Sequence, residues 1–133
     1  MIRLAKVVAA GAHFVITQPV FDLERFEKWW GEVTRRGLHE KVAIVAGIQL
    51  LADAETAKAY AAKRPRPMIP DAVLERLAAK SDKKAQRAVG IEIAVETAGR
   101  LSSLKGLRGF EVRGDGDADI AIEFIDKSGL GIN

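Results

Sequence analysis

A chain of 133 residues, 48% of them hydrophobic and with a formal net charge of +3, is one domain's length and can bury a core. The absence of cysteine removes disulfides and thiolate metal sites and fits a reducing cytoplasm, the expected location. No basic–aromatic stacking platform, bilayer-length apolar run or signal-peptide layout is present, so neither nucleic acid nor membrane is an expected partner.

Residues 1–10 (Ile2, Leu4, Ala5, Val7, Val8) read as the end of a helix that Gly11 stops. Phe14–Thr17, bounded by Gly11 and Pro19, reads as a buried strand of a parallel sheet. Thr17 and Gln18 then fall at its C-terminal end, where open sheets and barrels place their ligands. A glutamine amide both donates and accepts, which suits the edge of a heterocycle. Asp22 is an N-cap for Leu23–Arg36, with Glu24 near the positive helix end and Gly37 as the stop. Leu23, Phe26, Trp30 and Val33 recur at helical spacing, so the aromatic cluster around Trp29-Trp30 reads as core packing rather than a cofactor box.

Val42–Ala46, closed by Gly47, is a second strand, and Asp53 caps an alanine-rich helix over Ala54–Lys63. Arg64-Pro65-Arg66-Pro67-Met68-Ile69-Pro70 reads as a rigid extended connection. A short helix follows from Asp71 to Ala79, then a longer one from Asp82 to Leu104, ended by Gly106. Leu107–Val112 is a third strand, Gly114–Ala118 a loop and Asp119–Ser128 a closing helix. The order α-βα-βααα-βα predicts three parallel strands with right-handed crossovers in a single α/β domain over residues 1–133.

Asp115-Gly116-Asp117-Ala118-Asp119 imitates the start of a calcium loop, but Ile120 occupies the glycine position and Asp126 replaces the bidentate glutamate. A helix N-cap cluster accounts for these residues. His13 and His39 lack ligand spacing, so no metal is expected. No nucleophile–histidine pair, phosphate loop or acid/base carboxylate pair stands out, and no residue is assigned as catalytic.

Ala10-Gly11-Ala12, Phe14-Val15-Ile16-Thr17-Gln18 and Phe21-Asp22 together resemble the AGA-D-F-I-I-T-Q-x-x-F-D segment of methylenetetrahydrofolate reductases. Ala46-Gly47-Ile48-Gln49-Leu50-Leu51 stands where that family has G-I-x-P-L, and Ile69-Pro70 matches its isoleucine–proline step. Gly106-Leu107-Arg108-Gly109-Phe110-Glu111 stands against the family's last strand, G-V-x-G-F-H.

The resemblance implies a partial (β/α)8 TIM barrel: the last three β/α units, with extra helices before the final strand. It implies a flavoprotein oxidoreductase of one-carbon metabolism and methionine biosynthesis. Such an enzyme reduces 5,10-methylenetetrahydrofolate to 5-methyltetrahydrofolate with NAD(P)H through FAD. A closed barrel needs eight strands and about 250 residues. The family's catalytic glutamate, an aspartate near the flavin and most FAD contacts would therefore lie outside this chain, which is expected to be inactive alone.

By the same resemblance, Gln18 contacts the pterin and, in the other half-reaction, the nicotinamide. Tyr60 takes the place of a phenylalanine that packs on folate, and Thr56 that of a polar substrate contact; at i and i+4 they share one helix face. Lys6 matches one of two successive basic residues near the flavin diphosphate, with Val7 in the second place. Two positions depart from the pattern. Leu50 replaces a proline, and the family's folate-contacting arginine falls at about Asp117. Arg113 stands nearby, with Asp115 and Asp117 unfavourable to a glutamate tail. The implied partners are folate, NAD(P)H and either a chain that completes the barrel or a second copy. Two alternatives stay open: a non-catalytic partial-barrel binding or assembly subunit, and a divergent relative acting on another one-carbon carrier.

Overall fold

A computed structural model describes residues 2–63 and 69–130. Its elements are α1 (Ile2–Ala9), β1 (Phe14–Pro19), α2 (Leu23–Arg35), α3 (Leu38–Lys41), β2 (Ala43–Gln49), α4 (Ala54–Ala61), α5 (Asp71–Ala78), α6 (Lys83–Leu101), β3 (Gly109–Arg113) and α7 (Ala118–Ser128). Residues 64–68, the prolyl part of the expected extended connection, lie outside the described residues.

Aspartate caps set four helix starts. Asp22, Asp53, Asp82 and Asp117 each accept the backbone N–H three residues on, at 3.1, 2.7, 2.7 and 3.1 Å. Each satisfies an orphan donor of the first helical turn. The expected cap role of the Asp115–Asp119 cluster thus falls to Asp117, and the helix starts at Ala118, one residue earlier than the start read from the sequence. At the other end of α2, Gly37 adopts φ +69°, a left-handed stop. The four-residue α3 that follows was not expected, because a single turn carries no periodicity to read. The long helix ends at Leu101 rather than Leu104, where the hydroxyls of Ser102 and Ser103 bond back to the carbonyls of Ala98 and Arg100.

The three strands form one parallel sheet in the order β1-β2-β3. β2 runs three residues beyond the expected Ala46 because β3 pairs along it, Val45 with Gly109 through Gln49 with Arg113. Between β1 and β2 the register slips after Ile16, so that Pro19 rather than Gln18 lies opposite Gly47. This irregularity requires the glycine. A Cβ on residue 47 would stand 2.9 Å from the Thr17 carbonyl oxygen and 3.2 Å from Pro19 N, closer than side-chain carbons pack.

The two faces of the sheet differ. Strand alternation places Val15, Ile44, Ala46, Ile48, Phe110 and Val112 on one face. There they pack on Trp30, Val33, Leu38, Ile91, Ala94, Ala98, Leu101, Ile120 and Phe124 from the helices. Trp30 also ties α2 to the loop before β3 by donating its indole N–H to the Lys105 carbonyl at 3.1 Å. The other face carries Phe14, Ile16, Val45, Gly47, Gln49, Gly109, Glu111 and Arg113. The buried strand expected at Phe14–Thr17 is buried on one face only: Phe14 is 62% exposed and Ile16 38%, because among the described residues no helix packs over the β1 portion of this face. Among the described residues, helices pack on one side of the sheet.

Candidate functional site

All three strands point their C-terminal ends the same way, which gathers the segments after Gln18, Gln49 and Arg113 at one end of the sheet. Thr17 organises the first of these. Its hydroxyl accepts the Gly47 N–H at 3.1 Å and donates to the Gln18 carbonyl at 2.9 Å. The slipped register is thereby held and the Gln18 side chain is left exposed. Gln18 lines an open groove of about 700 Å³ along the outer edge of β1. Leu4, Val15, Ile16, Phe26 and Trp29 give this groove an apolar floor, and Arg3, Asp22 and Arg25 supply charges at its walls.

A second, more polar cluster sits at the ends of β2 and β3. Gln49 is 5% exposed. Its amide nitrogen lies within hydrogen-bonding distance of the carbonyl oxygens of Leu50 and Arg113, both at 3.3 Å, and of Asp115 Oδ2 at 3.0 Å. The Arg113 guanidinium is paired with Glu111 two residues back on the same face. Asp115 has φ +51°, the one left-handed non-glycine residue among those described. It is followed by Gly116 at +86°, and two such residues in succession make a tight reversal.

Tyr60 overlooks this cluster from α4. Burial pushes its hydroxyl up from the ordinary phenol value; Arg113 opposes that rise and Asp115 adds to it. Phe21, three residues past Gln18, tilts against the Tyr60 ring with centroids 6.2 Å apart, and Lys63 Nζ lies 5.2 Å from that ring's centroid. The Phe21–Tyr60 contact links the β1 groove to the polar cluster.

Of the four residues expected from the sequence, Gln18 alone lines the groove among the described residues. Tyr60 adjoins the polar cluster. Thr56 is exposed one turn before Tyr60, and its N–H and hydroxyl both bond Asp53, holding that carboxyl below the ordinary range. Lys6 is exposed in the last turn of α1, on the helix that lends Arg3, Leu4 and Val7 to the groove. Arg3, Gln49 and Asp115 were not singled out as site residues. Gln49 was visible only as the variable position of a glycine–isoleucine segment. Its burial depends on the β3 pairing and the loop after it, which no local pattern encodes. No group of three or more metal-ligating side chains occurs among the described residues, and no helix among them is long and apolar enough to cross a membrane.

A parallel α/β sheet with polar groups gathered at its C-terminal strand ends is the arrangement of a small-molecule-binding protein. The family model for methylenetetrahydrofolate reductase matches residues 1–111, and the chain belongs to that family. No curated protein matches the chain. Gln18, Gln49 and Tyr60 lie within the matched residues, whereas Arg113 and Asp115 lie beyond them.

Proposed function

We propose that this chain is the folate-facing wall of a flavin-dependent, methylenetetrahydrofolate reductase-like protein, equivalent to the last three β/α units of a (β/α)8 barrel. The activity served is reduction of 5,10-methylenetetrahydrofolate to 5-methyltetrahydrofolate by NAD(P)H through FAD, and the chain by itself is inactive. The supporting observation is the one-sided sheet: helices pack on one face, while the other carries exposed apolar side chains and, at the strand ends, Gln49, Glu111 and Arg113. Barrel strands divide their side chains in this way between an outer helix layer and an interior.

In this reading Gln18 orients the pterin and nicotinamide rings through its amide. Tyr60 packs against the folate, and Thr56 adds a polar contact from the same helix face. Lys6 is the flavin contact assigned to this chain, yet it stands exposed and outside the groove that Arg3 lines. In the same reading most FAD contacts lie outside this chain.

Isothermal titration of the 133-residue protein with 5-methyltetrahydrofolate tests the reading. Binding that Gln18→Ala weakens about tenfold, the loss of one good hydrogen bond to a ligand, with an unchanged unfolding midpoint, supports it. No binding by natively folded protein overturns it.

The 62% exposure of Phe14 favours a second reading, a non-catalytic subunit that assembles through the bare face. Self-association in sedimentation velocity that Phe14→Ser abolishes would support assembly, and a monomer at all concentrations would remove it.

A further inference from the structure

The helix that carries Thr56 and Tyr60, α4, is held at its first turn from α6. Asp53 accepts the Thr56 N–H at 2.7 Å, and the Ala54 N–H needs a partner from elsewhere. It donates to Gln86 Oε1 at 2.9 Å, while Gln86 Nε2 donates to the Lys80 carbonyl, just past the end of α5, also at 2.9 Å. One amide thus ties α4, α5 and α6 together. A side-chain amide can do both jobs, whereas a carboxylate only accepts and an ammonium only donates.

A second contact one turn on closes the clamp. Gly90 stands four residues after Gln86, on the same face of α6. It lies against the link from β2 to α4: a Cβ there would stand 1.8 Å from the Leu51 carbonyl oxygen. So α6 presses on Leu51 with Gly90 and holds Ala54 with Gln86. Beneath the clamp, Leu51, Ala57, Leu77 and Val89 belong to a buried cluster against which Phe21 also packs. Phe21 follows the Gln18 strand end and meets the Tyr60 ring at 6.2 Å. The position of α4 therefore sets where Tyr60 stands relative to the end of β1.

We propose that Gln86 is a positioning residue of the ligand site: by capping Ala54 it fixes α4, and with it the place of Tyr60 relative to the Gln18 strand end. This inference rests on the folate-type reading for what binds, and adds to it a residue that acts through the helix rather than on the ligand.

Tyr60 is the single tyrosine of the chain, so ultraviolet titration of the phenol reports its surroundings directly. Burial holds the hydroxyl above the ordinary phenol value, with Arg113 opposing and Asp115 adding to the rise, so a loosened α4 should let it fall. This titration and calorimetry with 5-methyltetrahydrofolate are run on the wild type, Gln86→Met and Gln86→Glu, with far-UV circular dichroism to confirm folding. Methionine keeps the side-chain length and makes neither hydrogen bond. Glutamate still accepts from Ala54, at a helix start that favours an anion, and gives up the Lys80 bond. Gln86→Met should weaken binding about fivefold, less than the loss of a direct contact at Gln18. Its phenol should titrate at lower pH than the wild type. Gln86→Glu should stay within about twofold of wild-type affinity and titrate with it, because the cap bond is kept.

An unchanged phenol titration in folded Gln86→Met overturns the inference. Gln86→Glu as weak as Gln86→Met also overturns it, since the Ala54 bond would then not be what holds the helix. A shifted phenol with unchanged affinity overturns the part that Gln86 plays in binding. If folded wild type binds no 5-methyltetrahydrofolate, the folate reading falls, and the phenol titration still decides whether Gln86 places Tyr60.

Discussion

The two faces of one three-stranded sheet carry different duties, although both are written on the same residues in alternation. On the covered face, Ile44, Ala46 and Ile48 are at most 2% exposed; Ala46 and Ile48 pack on Phe124, Ile120, Leu101 and Ile91, and Ile44 packs with Trp30, Val33 and Leu38. On the bare face, Phe14 and Ile16 are exposed, and the polar residues cluster toward the C-terminal ends. Apolar burial against helices holds the fold, and the face without helices is where a ligand or further protein can be met. Stability and function should therefore separate by face.

The largest effect tests the covered face. Phe124 is fully buried, and Phe124→Ala should cost about 3–5 kcal/mol in chemical denaturation, through lost transfer energy and the cavity left behind. A cost below about 1 kcal/mol would mean that α7 does not pack as described. Next is a residue that serves both faces. Gly47→Ala puts a Cβ against the Thr17 carbonyl and Pro19 N and should cost about 1–3 kcal/mol. It should also weaken ligand binding, because the slipped segment that presents Gln18 must shift. Loss of stability with intact binding would separate the register slip from function.

A smaller effect is expected at the cap of the helix that carries Tyr60. Asp53→Ala should cost about 1 kcal/mol. The Asp53 carboxyl is held below its ordinary value of 3.8 by the Thr56 N–H and then by the Thr56 hydroxyl. Its contribution is complete above that ordinary value and is lost as pH falls through the lower folded value. Asp53→Asn keeps a competent cap and should flatten the acid limb of the stability curve, where pH falls through and below the ordinary aspartate range. An acid limb identical to wild type would assign it to the other lowered carboxyls, Glu32 beside Arg35, Glu96 beside Arg76 and Asp117 beside Arg87. The smallest effect belongs to the bare face: Phe14→Ser should move the unfolding free energy by less than about 0.5 kcal/mol. A loss of several kcal/mol would show that the bare face is covered in solution and would break the comparison.

Much of this division is legible in the residues. Asp22, Asp53 and Asp82 mark helix starts because a short side-chain oxygen can reach an orphan N–H only at that position. Phe14–Thr17 and Val42–Ala46 read as strands from their β-branched and aromatic runs, and Gly37 marks a stop, whereas the stop expected at Gly106 comes five residues earlier, after Leu101. What was not legible depended on pairing across distance. The extension of β2 to Gln49 exists because β3, about sixty residues later, pairs along it, and the slip after Ile16 appears only when β1 meets Gly47. Gln18 was legible as a polar residue at a strand end; Gln49 was not, because its three hydrogen-bond partners come from its own strand end, β3 and the turn after it.

The sequence by itself determined the α/β class, the parallel order, most helix limits and the family, because caps, breakers and hydrophobic period are local and the family words are contiguous. Only the tertiary structure decided which face of the sheet stays bare, and that the buried Gln49 amide meets Asp115 at the ends of β2 and β3. Those outcomes depend on strand register and loop closure, where residues far apart in the chain settle each other's surroundings.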